Sequence, residues 1–462
     1  MSQTLERLKD YLLQLPPQAQ ALLMRKFEGA LERGEDTAIA TLVLNQLRAV
    51  ARADEVDTQP STGDPSRLVF RPLEPFLTDG TSVRPGQIRR TSLPPVWRWI
   101  SRDGAPEQVR DYEAALPRAG ESKGSPEIEA KLRVLRTAAA EAITRATNPA
   151  TGGDPRALSR IGPPDVIEDL LSIGCVLRGR EALDGLSGRM PKHLRMFGDA
   201  EIAQVAEALN LPLLQTPQLL PFALSMVMQR LANPWQIIRL AIKMAASDDE
   251  IRVAATPYGV VVTMALHDLA SRAAGLRQDI RRGHFVNIAE NLRALHDGIR
   301  GLRGELDLRQ DSTWGRQLAA IRAGTSSALQ SEIETVPGRV RRVLRQRTDK
   351  DAPSGAVTSS DIAEAVALID FVAICRTFAS ELAISEVTLR TYSDLQQYVE
   401  KATEALVQSL RGGDAKSRAY RQSQVAAAVR FCEALFSPDY ASLMSRAAES
   451  ALTGERKPSR AS

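Results

Sequence analysis

Cysteine, aromatic residues and long apolar runs are all scarce in this sequence of 462 residues. The three cysteines, Cys175, Cys375 and Cys432, are far apart and form no C-x-x-C pair. Each lies in an apolar helical pattern, where cysteine behaves as a small hydrophobic residue. This spacing excludes the disulfide framework of small secreted domains, so we expect a reducing compartment, the cytoplasm.

No stretch of the chain combines the length and the apolarity of a membrane span. The most apolar window, residues 219–228, is much shorter than the ~20 residues that a bilayer requires, and Gln229 and Arg230 follow it. The N-terminal stretch MSQTLERLKDYLL carries charges throughout and lacks the apolar core of a signal peptide. We therefore predict a cytoplasmic protein without a transmembrane segment.

The linear motifs of common enzyme classes are missing as well. The sequence has no G-x-x-x-x-G-K-[ST] loop for phosphates, no G-x-G-x-x-G turn after a strand and no G-x-S-x-G nucleophile elbow. The loop Thr151-Gly152-Gly153-Asp154 is rich in glycine, but no lysine or strand accompanies it. We therefore predict no catalytic residue and no cofactor, with an all-α enzyme that has no linear motif as the alternative.

What the sequence does contain is typical of a helical protein. Alanine, leucine and arginine dominate, and all three favour helices. The apolar share of 43% is enough for a core at this length. The formal net charge is only +4, and the excess of arginine over lysine is typical of a GC-rich bacterial genome, with selection for nucleic-acid binding as the alternative. We predict an all-α protein of several domains.

The most regular pattern lies in residues 256–308, which predict two long helices joined near Gly283. The first helix keeps one face apolar, with a four-residue step from Leu269 to Ala273 that would locally unwind a supercoil. In the second helix, apolar residues alternate three and four apart, as in a heptad seam. The seam consists of Phe285, Ile288, Leu292, Leu295, Ile299, Leu302 and Leu306. We predict an antiparallel hairpin within one chain; pairing of the 285–306 seam between two chains, which would give a homodimer, is the alternative.

Residues 1–124 divide into two regions of different character. Amphipathic helices in residues 1–53, separated at Pro16-Pro17 and at Gly34, predict a small helical bundle. Residues 54–124 are rich in proline and glycine, with a strand pattern only at 68–70, and we expect an extended arm. Its large apolar residues would anchor the arm on the helical body or, alternatively, dock it on a partner protein. The candidates for protein interaction here are Phe70, Phe76, Trp97 and Trp99.

Proline after a capping or permissive residue marks many of the other helix starts. Ser125-Pro126 predicts a connecting helix over 125–147, and the loop 148–155 predicts a domain boundary. The same device appears at 162, 216, 233, 256 and 437, within a central domain over 156–347 and a C-terminal domain over 361–452. Residues 348–360 are expected to form a linker, and 453–462 a disordered tail.

The histidines and acidic residues do not indicate a metal site. Three of the four histidines fall on the predicted hairpin, but no Glu-x-x-His pair accompanies them, so we interpret them as rim or exposed residues. These three are His267, His284 and His296. The acidic residues 248–250 follow Ser247, a spacing typical of a capping box that starts a helix. We predict no metal ligand.

A basic run at 339–347 is the strongest candidate for binding an anionic partner. Its arginines are Arg339, Arg341, Arg342, Arg345 and Arg347. On a helix, Val340, Val343 and Leu344 would form a narrow apolar face beside them. Together with arginines near the end of the first hairpin helix, the run could bind nucleic acid or anionic lipid. A solvated helix end explains the same residues without a ligand.

The function predicted from these patterns is that of a non-enzymatic helical scaffold or adaptor that binds other proteins in the bacterial cytoplasm. Large apolar helix faces and an aromatic-bearing arm favour this interpretation. The alternative is a nucleic-acid-binding or nucleoid-associated protein that uses the basic run.

Overall fold

The computed structural model describes residues 64–80, 83–116, 126–148, 158–285, 287–345, 357–410 and 415–453. The predicted bundle over 1–53 and nearly all of the predicted tail over 453–462 lie outside these ranges. Within the ranges almost every element is a helix, and the strands β1 (Leu77–Thr78) and β2 (Ile88–Arg89) form one two-stranded sheet. The all-α prediction is confirmed.

The chain divides into two compact units at positions that the sequence did not indicate. Of the described residues, one unit contains those up to Leu77 together with those in Arg89–Arg178, and the other contains those in Thr78–Ile88 together with those from Gly179 onward. The division therefore falls inside a helix, Pro164–Arg189, rather than in the loop at 148–155. The ranges 156–347 and 361–452, expected as separate domains, share one unit from Gly179 onward.

The first unit is built from short helices where an extended arm was expected. Asp64 accepts a hydrogen bond from the backbone N–H of Ser66 (2.9 Å) and so caps the first helix, and proline occupies its first position. The elements are α1 (Pro65–Phe70), a 3-10 turn (Arg71–Phe76), a 3-10 turn (Arg90–Ser92), α2 (Leu93–Trp99), a π-helical turn (Ile100–Gly104), α3 (Pro106–Ala115), α4 (Pro126–Thr147) and the first part of α5 (Pro164–Arg189). The extended-arm prediction is wrong, as is the strand at 68–70, whereas the helix predicted over 125–147 is confirmed as α4.

Two buried ionic side chains hold these short elements together. The Arg136 guanidinium donates hydrogen bonds to the carbonyl oxygens of Val69 (3.0 Å) and Leu68, which are left open at the end of α1. The Asp169 carboxylate accepts hydrogen bonds from the Ser92 hydroxyl (2.6 Å) and from the Arg89 backbone N–H (3.1 Å). Both therefore satisfy backbone and hydroxyl groups that short helices leave without intrahelical partners.

The second unit is a helical assembly around one long central helix. Its elements are the rest of α5, α6 (Asp199–Leu209), α7 (Leu220–Arg230), a 3-10 turn (Pro234–Ile237), α8 (Ile238–Ala245), α9 (Glu250–Ala254), a 3-10 turn (Pro257–Gly259), α10 (Val260–Arg282), α11 (Ile288–Glu305), α12 (Thr313–Leu344), α13 (Ser359–Thr377), α14 (Ser385–Ser409), α15 (Ala415–Leu435) and α16 (Pro438–Thr453). Helix α10 packs against α11, α12 and the 234–237 turn. From Val261 to Leu266 it buries more than the single apolar face that the sequence predicts, because these neighbours cover several of its sides.

Helices α10 and α11 form the predicted hairpin. Gly283 ends α10 with φ of +68°, a left-handed conformation that glycine adopts with little strain because it has no Cβ atom. Leu269 of α10 lies directly against Gly298 of α11, and the two residues are about equally far from the turn in sequence, as an antiparallel pair requires. On α12, Trp314 donates a hydrogen bond to the Thr263 hydroxyl (3.1 Å), and Gly324 lies beside Arg277, so α12 runs parallel to α10.

Helix α12 extends into the C-terminal part of the chain. It continues through Pro337 to Leu344, so the basic run belongs to this helix as far as Leu344. Helices α13, α14 and α15 all pack on α12. At its end, the Gln424 side-chain amide donates to the carbonyl oxygens of Val343 and Arg345, both at 3.0 Å. These contacts explain why the two expected domains form one unit.

The helix starts marked by proline are correct in part. Helices α4 and α16 begin at their marked prolines and α5 begins one residue later, whereas 3-10 turns take up Pro234 and Pro257, and α7 begins only at Leu220. At α9 the cap is Asp249, whose carboxylate accepts from the Arg252 backbone N–H at 2.9 Å, and not Ser247 as predicted. The Glu250 carboxylate instead accepts from the Arg309 backbone N–H (2.9 Å) and tethers the turn after α11.

Candidate protein-interaction surface

The aromatic residues singled out in residues 54–124 serve mainly as the core of the first unit. Phe70 and Phe76 are buried, and the rings of Phe70 and Trp97 form a T-shaped pair at a centroid distance of 6.1 Å. Trp99 packs its ring against Gly104, and both tryptophans are half-buried. Because the two phenylalanines are covered within the chain, only parts of the two indole rings are open to a partner.

The predicted seam lies inside the second unit. Its residues Ile288, Leu292, Leu295, Ile299, Leu302 and Leu306 are all buried. Phe285 is half-buried and packs on the Phe371 ring of α13 at a centroid distance of 5.2 Å. A homodimer through this seam would therefore require the helices of one chain to separate first.

The basic run is partly neutralised by its neighbours. Arg339 forms ion pairs with Glu364 (2.8 Å) and Glu332 (3.5 Å). The guanidinium of Arg341 lies over the Tyr398 ring, 5.4 Å from its centroid. Arg342 and Arg345 are exposed, and their guanidinium groups form no ion pair or hydrogen bond in the described part of the chain, while Arg347 lies outside that part. The run therefore presents fewer free cations than its sequence indicates.

The arginines at the end of α10 do not extend this basic patch. Arg277 is level with Gly324 of α12, so the end of α10 is level with about residue 330. At a rise of 1.5 Å per residue, the exposed part of the basic run lies roughly 15 Å farther along α12. The single patch considered from the sequence is thus divided into two smaller ones.

The four histidines differ in exposure and in the residues that surround them. His296 Nδ1 lies 3.0 Å from Asp297 Oδ1, and its ring packs on Phe378 at a centroid distance of 5.5 Å. His193 and His284 are exposed, and His267 is half-buried on α10. Over the residues that the structure describes, no group of three or more histidine, cysteine or acidic side chains is placed to hold a metal ion.

A surface that the sequence did not single out lies on the loop between α5 and α6. The 192–196 loop, residues Lys192 to Met196, is part of the connection from α5 to α6. At its start, the Arg230 guanidinium donates to the carbonyl oxygens of Met190 (2.9 Å) and Pro191 (3.1 Å). In the middle, the Leu194 backbone N–H donates to the Arg230 carbonyl (2.7 Å), and the Ala232 N–H donates to the Leu194 carbonyl (3.0 Å). These bonds fix the backbone of the loop.

The far end of the loop is fixed by a cluster around Arg239 of α8. Its guanidinium donates to the Phe197 carbonyl at 3.0 Å, pairs with the Glu305 carboxylate through both oxygens, and lies 5.5 Å from the centroid of the Trp235 ring. The hydrogen bond with Glu305 raises the pKa of Arg239. The Phe197 side chain is itself buried. Both ends of the 192–196 loop are therefore held by arginine side chains of the same unit.

The side chains between these anchors point outward. Met196 is 75% exposed, the highest value for a large apolar side chain in the described residues. Lys192, His193 and Arg195 are exposed, and none of them contacts another described residue through an ion pair or hydrogen bond. The loop therefore presents an apolar side chain among three basic ones.

Two further apolar side chains are exposed nearby, one on α8, which an ion pair links to the residue Asp199 after the loop, and one on α9, which packs on α8. Met244 of α8 is 41% exposed, and its neighbour Lys243 lies 3.8 Å from Asp199, three residues after Met196. Ile251 of α9 is 60% exposed, and α9 packs on α8. Isolated exposed apolar residues such as Leu389 and Leu443 are ordinary on protein surfaces, whereas several on adjoining elements indicate an interaction site. We call Met196, Met244 and Ile251 the apolar corner.

The sequence contains only a weak signal for this corner. The stretch MPKHLRMF between two helices alternates buried residues, Leu194 and Phe197, with exposed ones in no helical or strand period. Its exposure depends on Arg230 and Arg239, which are distant in sequence. Periodicity analysis therefore could not identify it.

Two further findings concern the chain as a whole. No described helix is both long enough and apolar enough to cross a bilayer. No protein-family model, curated protein or solved structure matches this chain.

Proposed function

We propose that this chain is a non-enzymatic helical scaffold or adaptor of the bacterial cytoplasm, and that it binds a partner protein through the apolar corner. The observation that carries the proposal is the 75% exposure of Met196 on a loop whose backbone is held at both ends. When a partner covers exposed apolar side chains, burial of their surface stabilises the complex by about 25 cal/mol per Å² of apolar area.

The composition of the corner suits a protein partner. Methionine is flexible and polarisable, so Met196 and Met244 can adapt to the shape of a partner's side chains. The hydrogen bonds from Arg230 and Arg239 keep the loop in one conformation, which lowers the conformational entropy lost on binding. The charged residues around the corner would form a polar rim, as in many protein interfaces.

The proposal is tested by truncating the corner. Proteins that copurify with the tagged full chain are identified, produced separately and titrated against the wild type, a Met196→Ala/Met244→Ala variant and a Leu443→Ala variant. Leu443 is 51% exposed on α16 and serves as the control for loss of an exposed apolar side chain. We expect the double variant to weaken binding about tenfold or more, as interface anchors do, and the control to leave it unchanged. A partner that binds all three proteins equally would contradict the proposal.

Nucleic-acid binding through the basic run is a second candidate, favoured by the exposure of Arg342 and Arg345. Each phosphate contact contributes about −0.9 to the slope of log K against log salt for duplex DNA. Two free arginines therefore predict a slope of only about −2, which a fluorescence-anisotropy titration between 50 and 200 mM salt would measure. Loss of this binding in an Arg342→Glu/Arg345→Glu variant would support the candidate.

A further inference from the structure

We infer that the partner segment bound at the 192–196 loop is acidic, with an apolar side chain that covers Met196 and carboxylates that pair with Lys192 and Arg195. This inference rests on the proposed function and names the chemistry of the partner. It follows from the charges that surround the most exposed methionine of the described chain.

Several arginines of the second unit are paired with acidic side chains, whereas the two strongest cations of the loop are not paired among the described residues. Arg239 is paired with Glu305, Arg272 with Asp268, and Arg303 with Glu381. Lys192 and Arg195 contact no acidic group in the described residues. A surface that places unpaired cations around an exposed apolar side chain is complementary to a segment with carboxylates around an apolar one.

The fixed backbone makes this complementarity specific. Leu194 and Phe197 are buried on either side of Arg195 and Met196, and the bonds from Arg230 and Arg239 hold the loop at both ends. Because the Cα atoms of the exposed residues are held in place, binding of a partner needs to order their side chains but not the loop backbone.

A peptide segment suits this surface better than a polyanion does. The Asp199 side chain lies beside the loop and is 93% exposed, and Asp248 is exposed between Met244 and Ile251. These carboxylates would repel the dense phosphates of nucleic acid or of an anionic membrane. The loop also has no aromatic side chain on which a base could stack. A peptide with separated carboxylates can avoid the acidic positions.

The inference is tested with the full chain on an array of random 15-residue peptides, followed by titration of the selected peptides at 150 mM salt. We expect the bound sequences to be enriched in aspartate and glutamate next to leucine, isoleucine or phenylalanine. A Lys192→Glu/Arg195→Glu variant should weaken them by about tenfold or more, because ion pairs become like-charge contacts. The control is Arg342→Glu/Arg345→Glu, which changes the net charge equally at another exposed site and should leave binding within about twofold. Thermal unfolding of each variant verifies that it is folded.

The other outcomes separate the inference from the proposed function. Selected peptides without an acidic bias that are weakened by Met196→Ala but not by the loop charge reversal would overturn the inference and leave the proposed function standing. Peptides that bind every variant equally would overturn both. A 20-base-pair DNA duplex or phosphatidylserine vesicles bound more tightly than any peptide, and released by the loop charge reversal, would assign the loop to a polyanion and overturn the inference.

Discussion

Gln236 and Gln424 both place side-chain polar atoms in the interior of the second unit, but only Gln424 has hydrogen bonds for them. Gln424 donates to the carbonyl oxygens of Val343 and Arg345. The Oε1 atom of Gln236 and the Nε1 atom of the neighbouring Trp235 are both buried, and neither has a hydrogen-bond partner among the described residues. A buried polar group without a partner costs about 1–3 kcal/mol, so the two glutamines should contribute to stability with opposite signs.

Replacing each glutamine by leucine tests this difference. Gln424→Leu leaves two carbonyl oxygens at the end of α12 unsatisfied, and we expect it to lower the free energy of unfolding by about 2 kcal/mol or more. Gln236→Leu removes an acceptor that has no partner, and we expect a change between zero and a gain of about 1 kcal/mol. Urea unfolding of the two variants gives both values, and equal losses would contradict the assignment.

The thiols make the stability of the protein sensitive to alkaline pH. Burial raises the pKa of Cys175 to about 11 and also raises the pKa of Cys375 and Cys432. An unfolded thiol has a pKa of about 8.5. Each thiol therefore contributes stability that is fully present below about pH 8.5 and is lost as pH rises toward the folded value, since the unfolded chain ionises first.

We expect the free energy of unfolding to fall between pH 8.5 and 10, at up to about 1.4 kcal/mol per pH unit for each thiol. Cys175→Ala should reduce this slope, because it removes one of the three thiols whose pKa is raised by burial. The burial of Tyr112, which raises its pKa to about 12, acts only at higher pH. Denaturant titrations at pH 7.5, 9 and 10 measure the slope, and a slope unchanged by Cys175→Ala would contradict the role given to this thiol.

At the scale of single elements, α11 shows how glycine allows close packing. A Cβ atom on Gly298 would lie 2.4 Å from Leu269, and one on Gly301 would lie 2.3 Å from the Trp235 ring. A Cβ atom on Gly304 would meet nothing within 4 Å. The first two glycines therefore let α10 and the 234–237 turn approach α11, whereas Gly304 has no such role.

Substitution by alanine at two of these positions should have opposite effects. Gly301→Ala places a methyl group inside the Trp235 ring contact, and we expect a loss of about 1–3 kcal/mol, as for overpacked cores. Gly304→Ala adds no contact and gains helix propensity, so we expect a stabilisation of up to about 1 kcal/mol. Thermal unfolding compares the two, and Trp235 fluorescence would show whether the ring has moved.

The elements that could be predicted are those with a long, regular period. The residues of the α11 seam recur every three or four positions, and six of the seven are buried. The short helices of the first unit cannot be predicted from the proline content of residues 54–124, because proline suits both extended chain and the first helical position, which Pro65 and Pro106 occupy. In α12, Pro337 lies inside a helix of 32 residues that neighbouring helices support, so a local breaker did not end it.

At the scale of the whole molecule, the C-terminal helices depend on α12 for part of their core. Leu329, Ile333, Val336 and Val340 of α12 are buried, and α13, α14 and α15 pack on this helix. The composition of residues 348–360 predicts a linker, most of which lies outside the described residues, and composition carries no information about whether the helices on either side share a core. For the same reason the apolar corner could not be predicted, since its exposure depends on contacts between distant residues.

A protease site inserted between Lys350 and Asp351 tests the shared core. We expect the two fragments to remain associated after cleavage, to elute together in size-exclusion chromatography and to separate only in denaturant. The uncleaved protein with the same insertion is the control for any effect of the added residues. Fragments that separate in native buffer would contradict the assignment of α12 to α16 to one unit.

The tryptophans described above have a practical consequence for spectroscopy. The chain has four, of which Trp97 and Trp99 belong to the first unit and Trp235 and Trp314 to the second. A protein with the second pair replaced by phenylalanine would therefore emit only from the first unit, and the reciprocal protein only from the second. With each unit carrying its own intrinsic fluorophores, their unfolding and their response to a bound peptide can be followed separately without any external label.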